Sequence, residues 1–211
     1  MEQAKQYEYV DLGLPSGLKW AKCNVGAEKE SDYGIMFAWG QTDNAVATKF
    51  VDSENYPYNW VSYEYCNGSY DTLTKYCTDS SYGTVDNITT LDPEDDAATQ
   101  IMGSEWRMPT KAEFNELLSG TTNEWVTNYK GTGVSGRKFT SRANGNSIFI
   151  PAAGYCNDGL VYNVDNDGYV WSSSLDTSYL YGAGYLYFGS DDCRMYCSYR
   201  CIGQSVRGVM D

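Results

Sequence analysis

No histidine occurs among the 211 residues, which removes the commonest general base near neutral pH and the commonest metal ligand together. Any chemistry falls to Cys, Asp, Glu or Tyr. Positive charge is scarce as well, with 15 Lys and Arg against 28 Asp and Glu and a net charge of -13. Nucleic-acid affinity comes largely from cations that displace counterions, so this balance opposes a nucleic-acid partner or an anionic membrane surface. No apolar run approaches the roughly 20 residues of a membrane span, so direct membrane insertion is not expected. The opening MEQAKQYEYV also shows no apolar signal-peptide core. Seven cysteines cannot all pair internally, and at least one is therefore free or intermolecular.

What is present is tyrosine, 20 residues of it, set among Gly, Asn, Asp, Ser and Thr. That mixture predicts a loop-rich chain with few helices. Apolar residues alternate around Leu12, Leu14 and Leu18, with Pro15-Ser16-Gly17 as a turn, which reads as a β-hairpin or two short strands. Tyr33 to Gly40 reads as a buried strand, and Gln41 to about Leu91 as an irregular excursion pinned down by its aromatic side chains.

Two short helices carry clear signals. In LDPEDDAATQIMG, Asp92 is the expected cap, Pro93 the first helical residue, Glu94, Asp95 and Asp96 the acidic first turn, and Gly103 the stop. In PTKAEFNELLSG, Thr110 and Glu113 form a capping box, Phe114, Leu117 and Leu118 the buried stripe, and Gly120 the end. Short strands follow at 137–140, 147–151, 168–173, 185–189 and 204–209. The fold class is α+β: two short helices packed on a small, mostly antiparallel sheet, with long irregular loops, in a single domain over 1–211.

One further absence is confined to a region. Residues 1–151 hold eleven Glu and nine Lys, and the remaining sixty positions, which should hold about eight at uniform usage, hold none. Charge persists there as seven Asp and three Arg, so residue identity has been filtered rather than charge. Codons ending in C, varied at their first two bases, yield Tyr, Ser, Asp, Gly, Cys, Arg, Asn, Leu, Ile and Val but never Lys, Glu, Gln, Met, Trp or a stop. On that account Trp171, Met195, Gln204 and Met210 are framework. In YLYFGS, strand alternation directs Leu186 and Phe188 inward and Tyr185, Tyr187 and Gly189 outward.

Six ordered stretches, VDLGLPSGLKWAKCNVGA, YGTVDNITTLDPEDDAA, WRMPTKAEFNELL, GNSIFIPAAGY, GYVWSSS and GQSVRGV, together resemble a family of gut-bacterial and phage proteins with a C-type lectin-type fold. Some members are variable proteins of diversity-generating retroelements, in which adenine-directed mutagenesis rewrites the C-terminal coding region from a template rich in AAC codons. The resemblance implies a scaffold over 1–151 and a variable ligand-binding region over 152–207. It makes Leu186, Phe188, Ser190, Met195, Arg200, Gly203, Gln204, Ser205, Val206 and Arg207 scaffold. It makes Tyr185, Tyr187, Gly189, Asp191, Asp192, Cys193, Arg194, Tyr196, Cys197, Ser198, Tyr199, Cys201 and Ile202 variable ligand-binding positions, joined upstream by Tyr162, Tyr169, Tyr179 and Tyr181. The implied function is a hypervariable receptor or adhesin that meets an unknown protein or cell-surface ligand, displayed on a virion or bacterial surface, with no catalytic residue and no cofactor. A palette of Tyr, Ser, Gly and Asp suits that task, because Tyr offers wide contact while freezing only two torsions.

Other motifs point elsewhere. Cys193, Cys197 and Cys201 stand four apart and, with Cys156, raise the question of a thiolate zinc site, but paired C-x-x-C elements are missing. Asn163, Asp165, Asp167 and Gly168 open like a calcium loop, yet Ser174 stands where a bidentate Glu is required, so a turn is expected. WRMPTKAEF is similar to a segment of formylglycine-generating enzymes, whose copper-binding cysteine pair would correspond here to Cys201 with Cys197 or Cys193. That alternative needs low-pKa, firmly held thiolates. Trp106, Arg107 and Arg207 read as structural.

Overall fold

The computed structural model describes residues 6–42 and 58–211. The chain opens with β1 (Tyr9–Asp11) and β2 (Lys19–Asn24), antiparallel as expected. The Gly17 amide closes their turn on the Leu14 carbonyl at 2.9 Å. The strand expected over 33–40 contracts to β3 (Met36–Phe37), because Gly34 and Gly40 take left-handed φ of 79° and 85° on either side of it. Of the irregular excursion, 43–57 lies outside the described residues. From 58 to 91 the chain forms turns and isolated bridges, anchored by phenol hydroxyls. Tyr58 donates to the Met36 carbonyl at 2.8 Å and Tyr63 to the Trp39 carbonyl at 2.9 Å.

The first helical region differs from expectation. Pro93–Asp95 forms a single 3-10 turn, and helix α1 (Ala97–Met102) starts only after Asp96, whose carboxylate caps it by accepting from the Thr99 amide at 3.0 Å. Asp92 makes no capping bond. Asp95 is drawn away by Lys75, Tyr65 and Tyr76, and the extended backbone of Asp96 breaks the helix there. Helix α2 (Lys111–Gly120) has the expected Thr110–Glu113 capping box, and Arg107 grips the same Glu113 bidentately at 2.7 and 2.8 Å. Phe114 and Leu117 are fully buried, and Leu118 partly. Gly120 ends the helix for a packing reason: a Cβ there would lie 2.4 Å from Leu14 Cδ2.

The described strands form four small sheets rather than one. β4 (Thr121–Val126), β5 (Gly136–Ser141) and β6 (Ser147–Pro151) make an antiparallel meander, and β7 (Tyr155–Asn157) pairs with β8 (Leu160–Tyr162). The largest sheet uses β9 (Gly168–Leu175), β10 (Gly182–Phe188), β11 (Cys193–Tyr199) and β12 (Gln204–Ser205), in the order β11-β10-β9-β12-β3. Among the described strands, β12 beside β9 is the one parallel pair. The expected strand at 204–209 is two strands, because the chain crosses at Val206 from that sheet to another, where β13 (Arg207–Met210) pairs with β2. The architecture is α+β.

Two apolar clusters lie on opposite sides of the largest sheet. Val170, Leu186 and Phe188 pack with Phe114 and Leu117 of α2 and with Trp20. Trp171 and Tyr185 pack with Trp39, Tyr76 and Trp106. A third cluster joins Met36, Tyr58, Tyr63, Cys156 and Cys201 beneath the 58–91 excursion. No helix among the described residues is long and apolar enough to cross a membrane.

Candidate ligand-binding surface

Alternation along β10 places Leu186 and Phe188, both 0% exposed, against α2, and sends Tyr185 and Tyr187 to the other face. Register then builds a tyrosine layer on that face. Tyr185 lies opposite Tyr196 of β11 and Trp171 of β9, and Tyr187 lies opposite Tyr169. The rings of Tyr155, Tyr162, Tyr169, Tyr185, Tyr187 and Tyr196 form one connected set with centroids 4.9 to 6.3 Å apart. Stacked and edge-on aromatic pairs at such spacings hold one another in place. Arg194 extends the layer, its guanidinium 4.3 Å from the Tyr196 ring centre and 2.8 Å from the Asp192 carboxylate.

A second aromatic group stands at the far end of β11. Tyr199, 52% exposed, meets Tyr181, which meets Tyr179, Tyr70 and Tyr82, while Trp60 reaches both Tyr70 and Tyr199. Trp60, Tyr70, Tyr82, Tyr181 and Tyr199 line a cavity of about 400 Å³. Sequence reasoning did not single out Trp60, Tyr70, Tyr82 or Tyr155. The aromatic density of the 58–91 excursion was the available signal.

Several expected binding positions are elsewhere. Tyr185 is only 9% exposed, covered by Tyr169, Trp171 and Tyr196, so it supports the layer rather than displaying itself. Gly189 is buried, and a Cβ there would lie 2.7 Å from the Asp167 carboxylate that accepts from Tyr187. Cys201, 3% exposed, belongs to the core with Cys156 and Tyr58. Cys193 packs on the α2 side of the sheet, and Cys197, two pleats further along, shares that face rather than the tyrosine face. Ser198 and Ile202 are half-buried, Asp192 likewise, and Asp191, Arg194, Tyr196, Tyr162 and Tyr179 are exposed. Among the scaffold positions, Ser190 is exposed at the β10–β11 turn and Met195 only half-buried. Arg200, Gln204, Ser205, Val206 and Arg207 are buried.

The cysteines do not converge. All seven are free, and the one acidic or thiol cluster with metal-ligand spacing among the described residues is Asp92, Glu94 and Asp95, which the Lys75 ammonium already bridges at 2.6 to 3.3 Å. Burial pushes the Cys193 thiol up to about 11 and the Cys201 thiol to about 12, and it also raises Cys197. These shifts oppose the thiolates that an oxidase pair requires. The calcium-like stretch is a turn: Asn163 and Asp165 adopt left-handed φ of 61° and 60°, and the Asp165 carboxylate accepts from the Ser135 amide at 3.0 Å. Arg107 is tied mainly to Glu113, and Trp106 is core. Comparison of the chain with family models, with curated proteins and with solved structures gives no match.

Proposed function

We propose that this chain is a binding protein of C-type lectin-type fold whose C-terminal region, diversified by a retroelement, presents a tyrosine-rich surface to a protein or cell-surface ligand. The observation that carries the reading is a partial segregation by residue identity, with the exposed Ser190, the half-buried Met195 and the buried Tyr185, Gly189 and Cys201 as exceptions. Positions that the codon filter marks as framework or that the family resemblance makes scaffold, Trp171, Leu186, Phe188, Arg200, Gln204, Val206 and Arg207, are at most 1% exposed. Filtered residues Tyr162, Tyr179, Tyr196 and Tyr199 are 38 to 55% exposed and join two aromatic patches. Rigid amphipathic rings beside Asp, Ser and Arg give wide contact at low entropic cost, as in antibody paratopes.

The test is to sequence the DNA flanking the gene. A second, near-identical copy of the 3′ region that differs from the gene only where the copy carries adenine is the expected result. An unvarying tail across isolates, with no copy and no excess of codons ending in C, would overturn diversification and favour an invariant adhesion module.

A further inference from the structure

We propose that the cavity formed by Trp60, Tyr70, Tyr82, Tyr181 and Tyr199 is a cage for an alkylated ammonium cation. The inference rests on the ligand-binding reading and gives it a chemistry at one patch. Its rings form a closed circuit: Trp60 to Tyr70 is 6.5 Å between centroids, Tyr70 to Tyr181 5.3 Å, Tyr181 to Tyr199 5.5 Å, and Tyr199 back to Trp60 6.1 Å. Tyr82 closes a fifth side at 5.8 Å from Tyr181. Neighbouring rings are tilted or edge-on rather than stacked, so they form walls around a space instead of filling it. The volume of about 400 Å³ falls within the range of small-molecule sites.

Lining chemistry selects the occupant. Among the described residues no Asp, Glu, Lys, Arg, Asn or Gln side chain lines the cavity, whose polar groups are the phenol hydroxyls and the indole N–H, so a carboxylate would find no charged partner there. An alkylated ammonium needs none: its charge is spread over methyl groups that contact aromatic faces, whose quadrupole presents negative potential. The net charge of -13 favours cations near the surface. The protein's own nearby cations are engaged elsewhere. Lys75 is held by Asp92, Glu94 and Asp95, and Arg200 by the carbonyls of Tyr76 and Leu180.

The experiment is a proton NMR titration of the full chain with choline and, in parallel, with its neutral carbon isostere 3,3-dimethyl-1-butanol. Ring currents should move the N-methyl resonance upfield, and the isostere should bind at least about tenfold more weakly. Tyr199→Ala and Tyr181→Ala should abolish the shift, Tyr199→Phe should keep it, and Tyr162→Ala, on the other patch, should leave it unchanged. Nε-trimethyl-lysine is titrated alongside. Selective binding of either cation supports the cage and tells a small headgroup source from a protein source. Equal binding of the isostere, a shift that survives in Tyr181→Ala/Tyr199→Ala, or no shift with either cation overturns the proposal. None of these results touches diversification, which stands or falls on the template copy, and Trp60, Tyr70 and Tyr82 keep the cage testable if that copy is missing.

Discussion

Arg137 donates from Nη1 to the Gly189 carbonyl at 2.6 Å, tying the middle strand of one sheet to the β10–β11 turn of another. The same nitrogen reaches the Asp192 carbonyl at 3.2 Å, and Nε is held by Asn123 at 2.8 Å. The turn that carries Asp191 and Asp192 is therefore clamped from outside its own hairpin. Arg137→Ala should cost about 1–3 kcal/mol by leaving those acceptors unpaired and should speed hydrogen exchange at the Gly189 amide, which bonds Asp192 across the turn. Unchanged exchange would show that the hairpin holds the turn unaided.

Arg207 is 0% exposed and, among the described residues, has no acidic partner in hydrogen-bond reach; it donates to Asn24 and to the carbonyls of Ala21, Lys22 and Phe149. Burial depresses its guanidinium pKa to about 10. Arg207→Met keeps the stem but orphans four acceptors, so urea denaturation should show a loss of at least about 3 kcal/mol. A gain in stability would mean that desolvating the charge outweighs its bonds.

Acid stability should depend on Asp95. Burial acts to raise its carboxyl, but bonds from Lys75, Tyr76 and Tyr65 outweigh it and hold the group below its ordinary value of 3.8. A group with a depressed folded pKa contributes stability above its unfolded pKa and loses it as pH falls through the folded one. The urea midpoint should therefore fall from about pH 4 downward. Asp95→Asn should lower stability at pH 7 and flatten that acid-side fall. Glu113, shifted in the same direction under Arg107, retains part of the slope.

Tolerance to substitution should divide the positions proposed as variable in two. New residues at Asp191 or Tyr179, both exposed, should each change stability by under about 0.5 kcal/mol. Tyr185→Ala should cost about 3 kcal/mol as a large buried ring is lost, and Cys201→Asp should cost at least as much. Thermal melts of the single variants separate the classes; equal tolerance at Cys201 would mean its core can open.

Thiol reactivity tests the oxidase comparison. Because burial raises Cys156, Cys193 and Cys201, brief iodoacetamide treatment of the native protein at neutral pH should leave all three unmodified by mass spectrometry. Selective labelling of Cys201 would reveal an activated thiolate and reopen a catalytic role.

Features fixed by neighbours in sequence were legible. The Pro15-Ser16-Gly17 turn, the Thr110–Glu113 box and the 147–151 strand needed only local signals. Features decided across the fold were not. Asp96 displaced Asp92 as the cap because Lys75, from twenty residues upstream, draws Asp95 away. β11 escaped notice because its inward positions are Cys and Met, which alternate only weakly with their polar neighbours. Strand parity gave the side of the sheet on which Tyr185 lies, but exposure depends on what else stands there, and Tyr169 and Tyr196 arrive from other strands. Three of the five residues that line the aromatic cavity, Trp60, Tyr70 and Tyr82, lie at least 99 positions upstream of Tyr181 and Tyr199, and no local pattern connects them.

The last two strands close sheets that residues 9–37 begin: Gln204 pairs with Phe37, Arg207 with Asn24 and Val209 with Trp20. A message broken by a frameshift or stop anywhere within 152–203 would yield a chain with both of those slots vacant and its central tryptophans uncovered. Such a product has no route to the native state. Folding thereby proofreads translation through the tyrosine-rich hairpin, because only chains read in frame to the end of β13 carry the strand that locks it.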